Sequence, residues 1–394
     1  MNIEALLTER TKAMSASAIR EILKLVNKPG MVSLAGGIPA PESFPMDIMP
    51  ELVKRVFDKY SSYALQYDIT EGFLPLREEL AKYLATQHLT CTADEINITS
   101  GSQGLLDALG KVFIEPGDLI AVEAPTYLGA LQAFNPYQPG YVSIMTDEDG
   151  VVPEELEKIL RKTKIKFIYL IPTFQNPSGR TTTLERRKKI AEIIKTHGAL
   201  IVEDDPYSRL RYRGQELPPI KSFAPDNVIY MSTFSKIFAP GLRIGFSIAP
   251  REASAALVKV KQGIDLHTST FNQALASEYL SGGYLDKQLP KIVSIYAPKQ
   301  KAMLDALERY FPEGYKWSKP EGGMFIWLEG PAGMDAVAYY KKAVENNVAY
   351  VPGRFFFTEP GAGLATMRLN FTMSSADVLS GAIKTLSEVF KKGL

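Results

Sequence analysis

The sequence predicts an α/β protein with a large domain, built on a mostly parallel (mixed) sheet flanked by helices, and a smaller α+β domain. Through the middle of the chain, short runs rich in Ile, Val, Tyr and Phe alternate with amphipathic helical patterns. These runs are nearly continuous in apolar character, which is typical of strands covered on both faces. Strands that alternate with helices favour parallel pairing within one sheet.

Six strands are predicted in this middle region, at residues 96–99, 119–122, 166–171, 199–202, 228–231 and 244–248. Helices are predicted between them at residues 103–113, 153–160 and 184–197. Beyond about residue 285 the pattern changes. It there predicts a long helix at 287–311, strands at 323–328 and 367–371, and a helix at 335–346.

This change of pattern predicts a division of the chain into three parts. Residues 46–285 would form the large domain, and residues 286–394 the small C-terminal domain. Residues 1–45 would form an N-terminal segment that contains a helix and joins the small domain. The length agrees with such a division, because domains commonly have about 150 residues.

Composition excludes several classes of function. The 394 residues include 45 Lys+Arg and 44 Asp+Glu, so the formal charge of +1 offers no broad electrostatic footprint for nucleic acid or an anionic membrane. One cysteine and three widely separated histidines predict neither a disulfide framework nor a metal site. The charged N-terminus lacks the apolar core of a signal peptide, and no apolar run approaches the ~20 residues of a membrane span. We therefore expect a cytoplasmic protein that binds neither nucleic acid nor membrane.

Polar side chains follow several of the predicted strands. A small-residue turn at 100–104 comes after the first strand and opens a helix, and Asn176 follows the third strand. Asp204 follows the fourth strand with Tyr207 three residues later, and Lys236 follows the fifth, flanked by hydroxyl residues. Ligands of open α/β sheets bind at the carboxyl ends of the strands, so we expect these groups to converge on one crevice. Each alone has an ordinary explanation, because Gly–Ser turns are common connectors and a strand-end lysine is usually at the surface.

Together, these groups match the chemistry of pyridoxal phosphate. A turn at a helix N-terminus aims backbone N–H groups and the helix dipole at an anion such as a phosphate. A lysine that forms a Schiff base must lose its proton, which partial burial and a cationic neighbour promote by lowering its pKa. A buried carboxylate near it suits a cationic ring nitrogen, and the cofactor also carries a phenolic oxygen for amide and phenol partners.

Six stretches match a known family in the family's own order: residues 33–39, 99–103, 174–179, 202–207, 232–236 through 243–245, and 367–371. They read SLAGGIP, TSGSQ, FQNPSG, VEDDPY, STFSK through RIG, and MRLNF. On these motifs the sequence closely resembles the fold type I pyridoxal-phosphate aminotransferases, and within them the 2-aminoadipate/kynurenine branch. The resemblance spans nearly the whole chain, and it implies pyridoxal 5'-phosphate as the cofactor.

The resemblance implies a role for each motif residue. Lys236 would form the Schiff base with the cofactor and carry the substrate proton, while Asp204 would pair with the pyridinium nitrogen. Asn176 and Tyr207 would bond the phenolic oxygen, and Tyr127 would stack on the ring. The phosphate would be held by residues with hydroxyl, amide or guanidinium groups: Ser102, Gln103, Thr233, Ser235 and Arg243.

The resemblance also implies residues for the substrate and for a second subunit. Arg368 would clamp the substrate α-carboxylate beside Asn176, and Gly37 would allow a close approach of backbone and substrate. Arg20, on a helix that covers the substrate in this branch, would bind a distal carboxylate; a solvated helix arginine is the alternative. Tyr67 would reach the phosphate of the neighbouring subunit in a homodimer; a packing tyrosine is the alternative.

The implied activity is ping-pong transfer of an amino group from an L-amino acid, of the 2-aminoadipate, aromatic or branched-chain type, to a 2-oxo acid, expected to be 2-oxoglutarate. One alternative is a pyridoxal-phosphate-dependent β-lyase or decarboxylase on the same fold, because the lysine and aspartate would look alike in all of them. Another is the effector domain of a transcription regulator. That alternative needs a basic DNA-binding module ahead of the domain, and the motifs begin within the first 40 residues.

Overall fold

The strands and helices below come from a computed structural model that describes residues 1–14 and 30–392. The strands are β1 Val32–Ser33, β2 Ile96–Thr99, β3 Leu119–Ala124, β4 Gly140–Asp147, β5 Gly150–Val151, β6 Phe167–Leu170, β7 Ile201–Asp204, β8 Val228–Thr233, β9 Gly245–Ile248, β10 Lys316–Trp317, β11 Phe325–Glu329, β12 Val348–Ala349, β13 Val351–Pro352 and β14 Thr366–Asn370. The α-helices are α1 Glu9–Ala13, α2 Met49–Tyr60, α3 Leu74–Thr86, α4 Gly101–Phe113, α5 Leu128–Phe134, α6 Pro153–Lys162, α7 Leu184–His197, α8 Arg251–Ile264, α9 Thr270–Ser281, α10 Tyr284–Tyr310, α11 Ala336–Glu345 and α12 Ala376–Lys391.

An eight-stranded mixed sheet occupies the middle of the chain, in the order β2–β9–β8–β7–β6–β3–β4–β5. Strands β8, β7, β6, β3 and β4 pair in parallel, whereas β9 is antiparallel to both β2 and β8, and β5 is antiparallel to β4. All four residues of β6 and of β7 are buried, as the continuous apolar runs predict. The carboxyl ends of β2, β3, β6, β7 and β8 therefore lie at one edge of the sheet.

A smaller antiparallel sheet forms near the C-terminus, in the order β10–β11–β14–β13. Helices α10 and α12 pack against each other, and Leu307 and Leu386 are fully buried in the cluster that joins both sheets. Strand β1 pairs in parallel with β12, so the residues that precede the large sheet are hydrogen-bonded to the C-terminal part. The predicted fold class, a mixed α/β sheet with a smaller α+β unit, is thereby confirmed.

Two strand boundaries differ from the prediction in a way that matters for function. The strand predicted at 199–202 is β7, which extends to Asp204, and the strand predicted at 228–231 is β8, which extends to Thr233. Glu203, Asp204, Ser232 and Thr233, which were predicted to follow these strands, are therefore strand residues, and successive side chains along a strand point to opposite faces. Strand β4 was not predicted because most of its residues are only half-buried, so they form no continuous apolar run.

No helix in residues 1–14 and 30–392 is long and apolar enough to span a membrane. The same part of the chain contains no group of three or more His, Cys, Asp or Glu side chains arranged to hold a metal ion. The division at residues 45 and 285 stays a prediction.

Candidate active site

A cleft of about 390 Å³ opens where the carboxyl ends of the parallel strands meet the smaller sheet. Tyr67 lies outside it and is 74% exposed, and Arg20 lies outside the described residues. Every other residue predicted for the site lines this cleft: Gly37, Ser102, Gln103, Tyr127, Asn176, Asp204, Tyr207, Thr233, Ser235, Lys236, Arg243 and Arg368.

Three consecutive acids lie at the carboxyl end of β7, with Glu203 and Asp204 in the strand and Asp205 directly after it, and their hydrogen bonds distinguish them. Glu203 accepts from the backbone N–H groups of Ile220 and Lys221, both at 2.8 Å, so it anchors a turn on the other face of the sheet. Asp205 accepts from the Tyr230 hydroxyl at 2.9 Å. Asp204 lines the cleft, and its Oδ1 is buried with no hydrogen-bond partner in residues 1–14 and 30–392. Because buried carboxylate oxygens are normally paired, Asp204 is the acid that is available to a ligand.

The other Asp204 oxygen, Oδ2, accepts a hydrogen bond from the Tyr169 hydroxyl at 2.7 Å. Burial raises the pKa of Asp204 to about 7, the Tyr169 hydrogen bond lowers it, and the Asp205 charge raises it. Desolvation disfavours the charged carboxylate, so a cationic partner at Oδ1 would favour its ionisation.

Lys236 follows β8, and its ammonium group donates to the Gly37 carbonyl at 2.9 Å. Burial lowers the pKa of this lysine to about 8, and the positive charges of Arg368 and Arg243 also act to lower it. About a tenth of the amine is consequently neutral, and therefore nucleophilic, at pH 7.

Arg368, in β14, is held rigidly at the wall of the cleft. Its Nη1 donates to Asn176 Oδ1 at 2.8 Å and its Nη2 to the Ala35 carbonyl at 2.7 Å. The guanidinium carbon lies 4.2 Å from the ring centroid of Phe325 and 5.0 Å from that of Phe356. Burial lowers the pKa of Arg368 to about 10, so the side chain stays cationic at neutral pH and suits a carboxylate.

Asn176 and Tyr207 lie beside this arginine. The Asn176 amide Nδ2 is 3.4 Å from the Tyr207 hydroxyl, to which it donates. The Tyr207 ring meets Phe325 edge to face, with centroids 5.9 Å apart. Burial raises the pKa of Tyr207 above its ordinary value, so its hydroxyl keeps its proton and can donate it in a hydrogen bond.

A cradle for an anion forms between the N-terminus of α4 and the end of β8. Ser102 and Gln103 lie in the first turn of α4, where backbone N–H groups lack helical partners. The Thr233 and Ser235 hydroxyl oxygens are 2.9 Å apart. Arg243 adopts a left-handed backbone conformation, with φ of 54°, which is uncommon for a non-glycine residue.

Several residues of the site were not predicted from the sequence. Tyr169 lies in an apolar strand and resembles a core residue until its contact with Asp204 is known. Phe325 belongs to a predicted strand, but the stacking on Arg368 depends on a distant part of the chain. The remaining unpredicted residues of the cleft are apolar: Ile38, Ile171, Pro206 and Pro240.

Comparison with known proteins identifies the family. Residues 41–383 match the profile of the family described as aminotransferase class I and II. The chain belongs to this family. It is 47% identical over 100% of its length to aromatic-amino-acid aminotransferase 1 of Thermococcus litoralis, of which the match covers 95%.

Two solved structures are similar to this aminotransferase over all of its length. Pyrococcus horikoshii kynurenine aminotransferase, in complex with PMP, is 44% identical with a TM-score of 0.96 over 98% of that chain. The α-aminoadipate aminotransferase of Thermus thermophilus, complexed with N-(5'-phosphopyridoxyl)-L-leucine, is 37% identical with a TM-score of 0.92 over 99% of that chain. This aminotransferase is therefore a fold type I enzyme of the 2-aminoadipate/kynurenine branch, as the motifs predicted.

Its cofactor is pyridoxal 5'-phosphate, and it transfers an amino group between an amino acid and an oxo acid. The cleft fits that cofactor. The unpaired buried oxygen of Asp204 suits the ring nitrogen, the Lys236 amine suits the aldehyde, and the cradle between α4 and β8 suits the phosphate.

The Lys236 amine of the cofactor-free aminotransferase should titrate near pH 8. Its rate of acylation should fall about tenfold for each pH unit below that midpoint, because only the neutral amine reacts. Competitive labelling across pH, followed by mass mapping of the Lys236 peptide, measures the midpoint. A midpoint of about 10.4, the pKa of a free lysine, would contradict the conclusion that burial in the cleft lowers the pKa of Lys236.

Proposed function

We propose that this aminotransferase moves the amino group of an L-amino acid to a 2-oxo acid in ping-pong order, in which the first oxo acid leaves before the second binds. The proposed donors are 2-aminoadipate and aromatic or branched-chain amino acids, and the proposed acceptor is 2-oxoglutarate. The names of the similar proteins support the first two donor classes, since they act on aromatic amino acids and 2-aminoadipate. Apolar walls at Ile38 and Phe325 beside a cationic Arg368 are compatible with such side chains.

The proposal rests on one observation: the Lys236 amine and the unpaired Asp204 oxygen line the same cleft. Lys236 would hold the cofactor covalently through Nζ and, once released, would take the proton from the substrate Cα. When bound, the cofactor supplies an aldehyde carbon and a ring that accepts electrons from the substrate. The lowered pKa of Lys236 suits a general base that works near neutral pH.

The other side chains would orient the cofactor ring. The Asp204 carboxylate would accept a hydrogen bond from the N–H of the ring nitrogen. The ion pair formed by the carboxylate and the pyridinium would keep that nitrogen protonated. Asn176 and Tyr207 would bond the phenolic oxygen, and Tyr127 would stack on the ring face. The phosphate would be bound by Ser102, Gln103, Thr233, Ser235 and Arg243.

Arg368 would grip the substrate α-carboxylate, with Asn176 beside it. Its contacts with Asn176 and Ala35 fix the plane of the guanidinium, so little entropy remains to be lost when the substrate binds. At Gly37, an added Cβ would come within 3.1 Å of the Phe325 ring, which supports a need for glycine beside the substrate. Arg20 would bind a distal carboxylate of the substrate.

We further propose that the enzyme is a cytoplasmic homodimer in which Tyr67 reaches the phosphate of the neighbouring subunit. Tyr67 is 74% exposed, and Leu65, Ile69 and Leu74 nearby are also exposed apolar residues. Several exposed apolar residues within one short segment are compatible with an interface between protein chains. Residues 1–45 would cover the substrate, 46–285 would bind the cofactor, and 286–394 would form the small domain.

Stoichiometry tests the proposed activity. The assay contains the cofactor, 2-oxoglutarate and one donor, which is L-2-aminoadipate, phenylalanine or leucine. One glutamate should form for each donor molecule consumed. The K236A variant should lose more than about a thousandfold in rate, because the base is gone. Chromatographic quantification of both amino acids measures the ratio. Consumption of the donor without glutamate would contradict transfer and favour a lyase or decarboxylase.

Gly101 tests the proposed phosphate cradle. It adopts a φ of +76°, and a Cβ there would collide with the Arg243 guanidinium. G101A should therefore displace Arg243 and weaken pyridoxal 5'-phosphate binding by about tenfold or more, as expected when a charge-assisted contact is lost. G104A is the control in the same helix, because among the described residues no atom beyond its chain neighbours and the backbone of its own helix lies within 4 Å of a Cβ at that position.

Equilibrium binding of the cofactor to both variants measures the difference. Equal affinities of G101A and G104A would contradict the role of Arg243.

A further inference from the structure

The contact between Tyr169 and Asp204 divides the two carboxylate oxygens between different tasks. The Tyr169 hydroxyl donates to Oδ2 at 2.7 Å, and both side chains are buried. Oδ1 has no partner among the described residues, and Asp204 lines the cleft. One oxygen is thus held by the protein and the other is left for a donor in the cleft.

Tyr169 is itself fixed in position. It lies in β6, where it is in register with Val122 of β3 and Val202 of β7. Its ring packs edge to face against Phe134, with centroids 5.9 Å apart. Burial raises the pKa of Tyr169 well above the ordinary value of a phenol, so its hydroxyl remains a hydrogen-bond donor at any working pH. A neutral donor of this kind stabilises the ionised form of a carboxylate.

We propose that Tyr169 is a positioning residue for amino-group transfer: its hydroxyl fixes the Asp204 carboxylate with Oδ1 as the acceptor for the cofactor's ring nitrogen, and keeps that carboxylate ionised. The inference rests on the proposed role of Asp204. Tyr169 acts only through Asp204, since it is not among the residues that line the cleft.

The groups around Asp204 show why the hydroxyl matters. Burial and the Asp205 charge raise the pKa of Asp204, and the Tyr169 hydrogen bond opposes them. Without the hydroxyl, burial and the Asp205 charge act on that pKa without this opposing hydrogen bond, so a larger fraction of Asp204 is neutral near neutral pH. The titratable and charged groups that surround Asp204 or share its cleft are Glu123, Tyr127, Tyr169, Asp205, Tyr207, Lys236, Arg243 and Arg368.

The chain offers a matched control for this contact. The Tyr230 hydroxyl donates to Asp205 Oδ2 at 2.9 Å, and both side chains are buried. Y230F therefore removes a tyrosine hydroxyl that donates to a buried aspartate, as Y169F does. The aspartate affected is Asp205, the residue that follows Asp204. Asp205 does not line the cleft and acts on Asp204 only through its charge. Y230F leaves the Asp205 side chain in place, so it should affect the ring-nitrogen contact far less than Y169F.

The test compares two ligands on cofactor-free wild type, Y169F and Y230F. One is pyridoxal 5'-phosphate, and the other is its 1-deaza analogue, in which a carbon replaces the ring nitrogen. The covalent bond to Lys236 is common to both ligands, so the ratio of their dissociation constants reports the contact at the ring nitrogen. This ratio is the preference for pyridoxal 5'-phosphate over the deaza analogue. Y169F should lower the preference for pyridoxal 5'-phosphate about tenfold at pH 7 and less at higher pH, where a larger fraction of Asp204 is ionised without the hydroxyl.

Y230F should keep the wild-type preference, and the affinity of Y169F for the deaza analogue should stay within about twofold of wild type. A Y169F preference equal to wild type would overturn the inference. So would an equal loss of affinity for both ligands, or an equal loss of preference in Y230F, because each would indicate a general structural effect.

A double-mutant cycle adds a second readout. The D204N variant has an amide in place of the carboxylate, so there is no charge for Tyr169 to stabilise. Adding Y169F to D204N should therefore change the preference by less than about twofold. A full tenfold change in that background would overturn the action through Asp204. None of these binding measurements includes an amino acid, so they are independent of the activity assay. If the protein shows the preference but transfers no amino group, the role of Tyr169 is supported and the proposed function is contradicted.

Discussion

The parallel register of β6, β7 and β8 is the constraint on which the site depends. It sets Tyr169 opposite Val202, and Asp204 opposite Met231. Because side chains alternate along a strand, Glu203 and Asp204 point to opposite faces, and only one of them can line the cleft. A slip of β7 by one residue would exchange the two acids and leave the cleft without its unpaired carboxylate oxygen. The chemistry of the site is therefore fixed by backbone hydrogen bonds before any cofactor binds.

Burial acts on the two central titratable groups in opposite directions. It lowers the pKa of Lys236 to about 8 and raises that of Asp204 to about 7, so both groups can exchange protons close to neutral pH. The positive charges of Arg368 and Arg243 reinforce the first shift, and the Tyr169 hydrogen bond limits the second. The same arginines give the cleft its excess of positive charge, which suits a phosphate and a carboxylate.

Continuous apolar runs predicted the fold class, and the positions after the predicted strands pointed to Asn176, Asp204, Tyr207 and Lys236. The family resemblance implied most of the other residues of the cleft. The sequence could not choose among Glu203, Asp204 and Asp205 by pattern alone. Their hydrogen-bond partners at Ile220, Lys221 and Tyr230 come from later parts of the chain, so no local pattern contains them. Tyr169 was missed for the same reason: its partner lies 35 residues away on the neighbouring strand. The choice of Asp204 came from the family resemblance, and the geometry supplies its physical reason.

A single covalent bond is the centre of this account, and it can be trapped directly. Reduction of the cofactor-loaded protein with borohydride, followed by proteolysis and mass spectrometry, identifies the lysine that carries the pyridoxyl group. One label per chain is expected, on the peptide that contains Lys236. A label on any other lysine, or a loaded protein from which no labelled peptide can be recovered, would contradict this expectation.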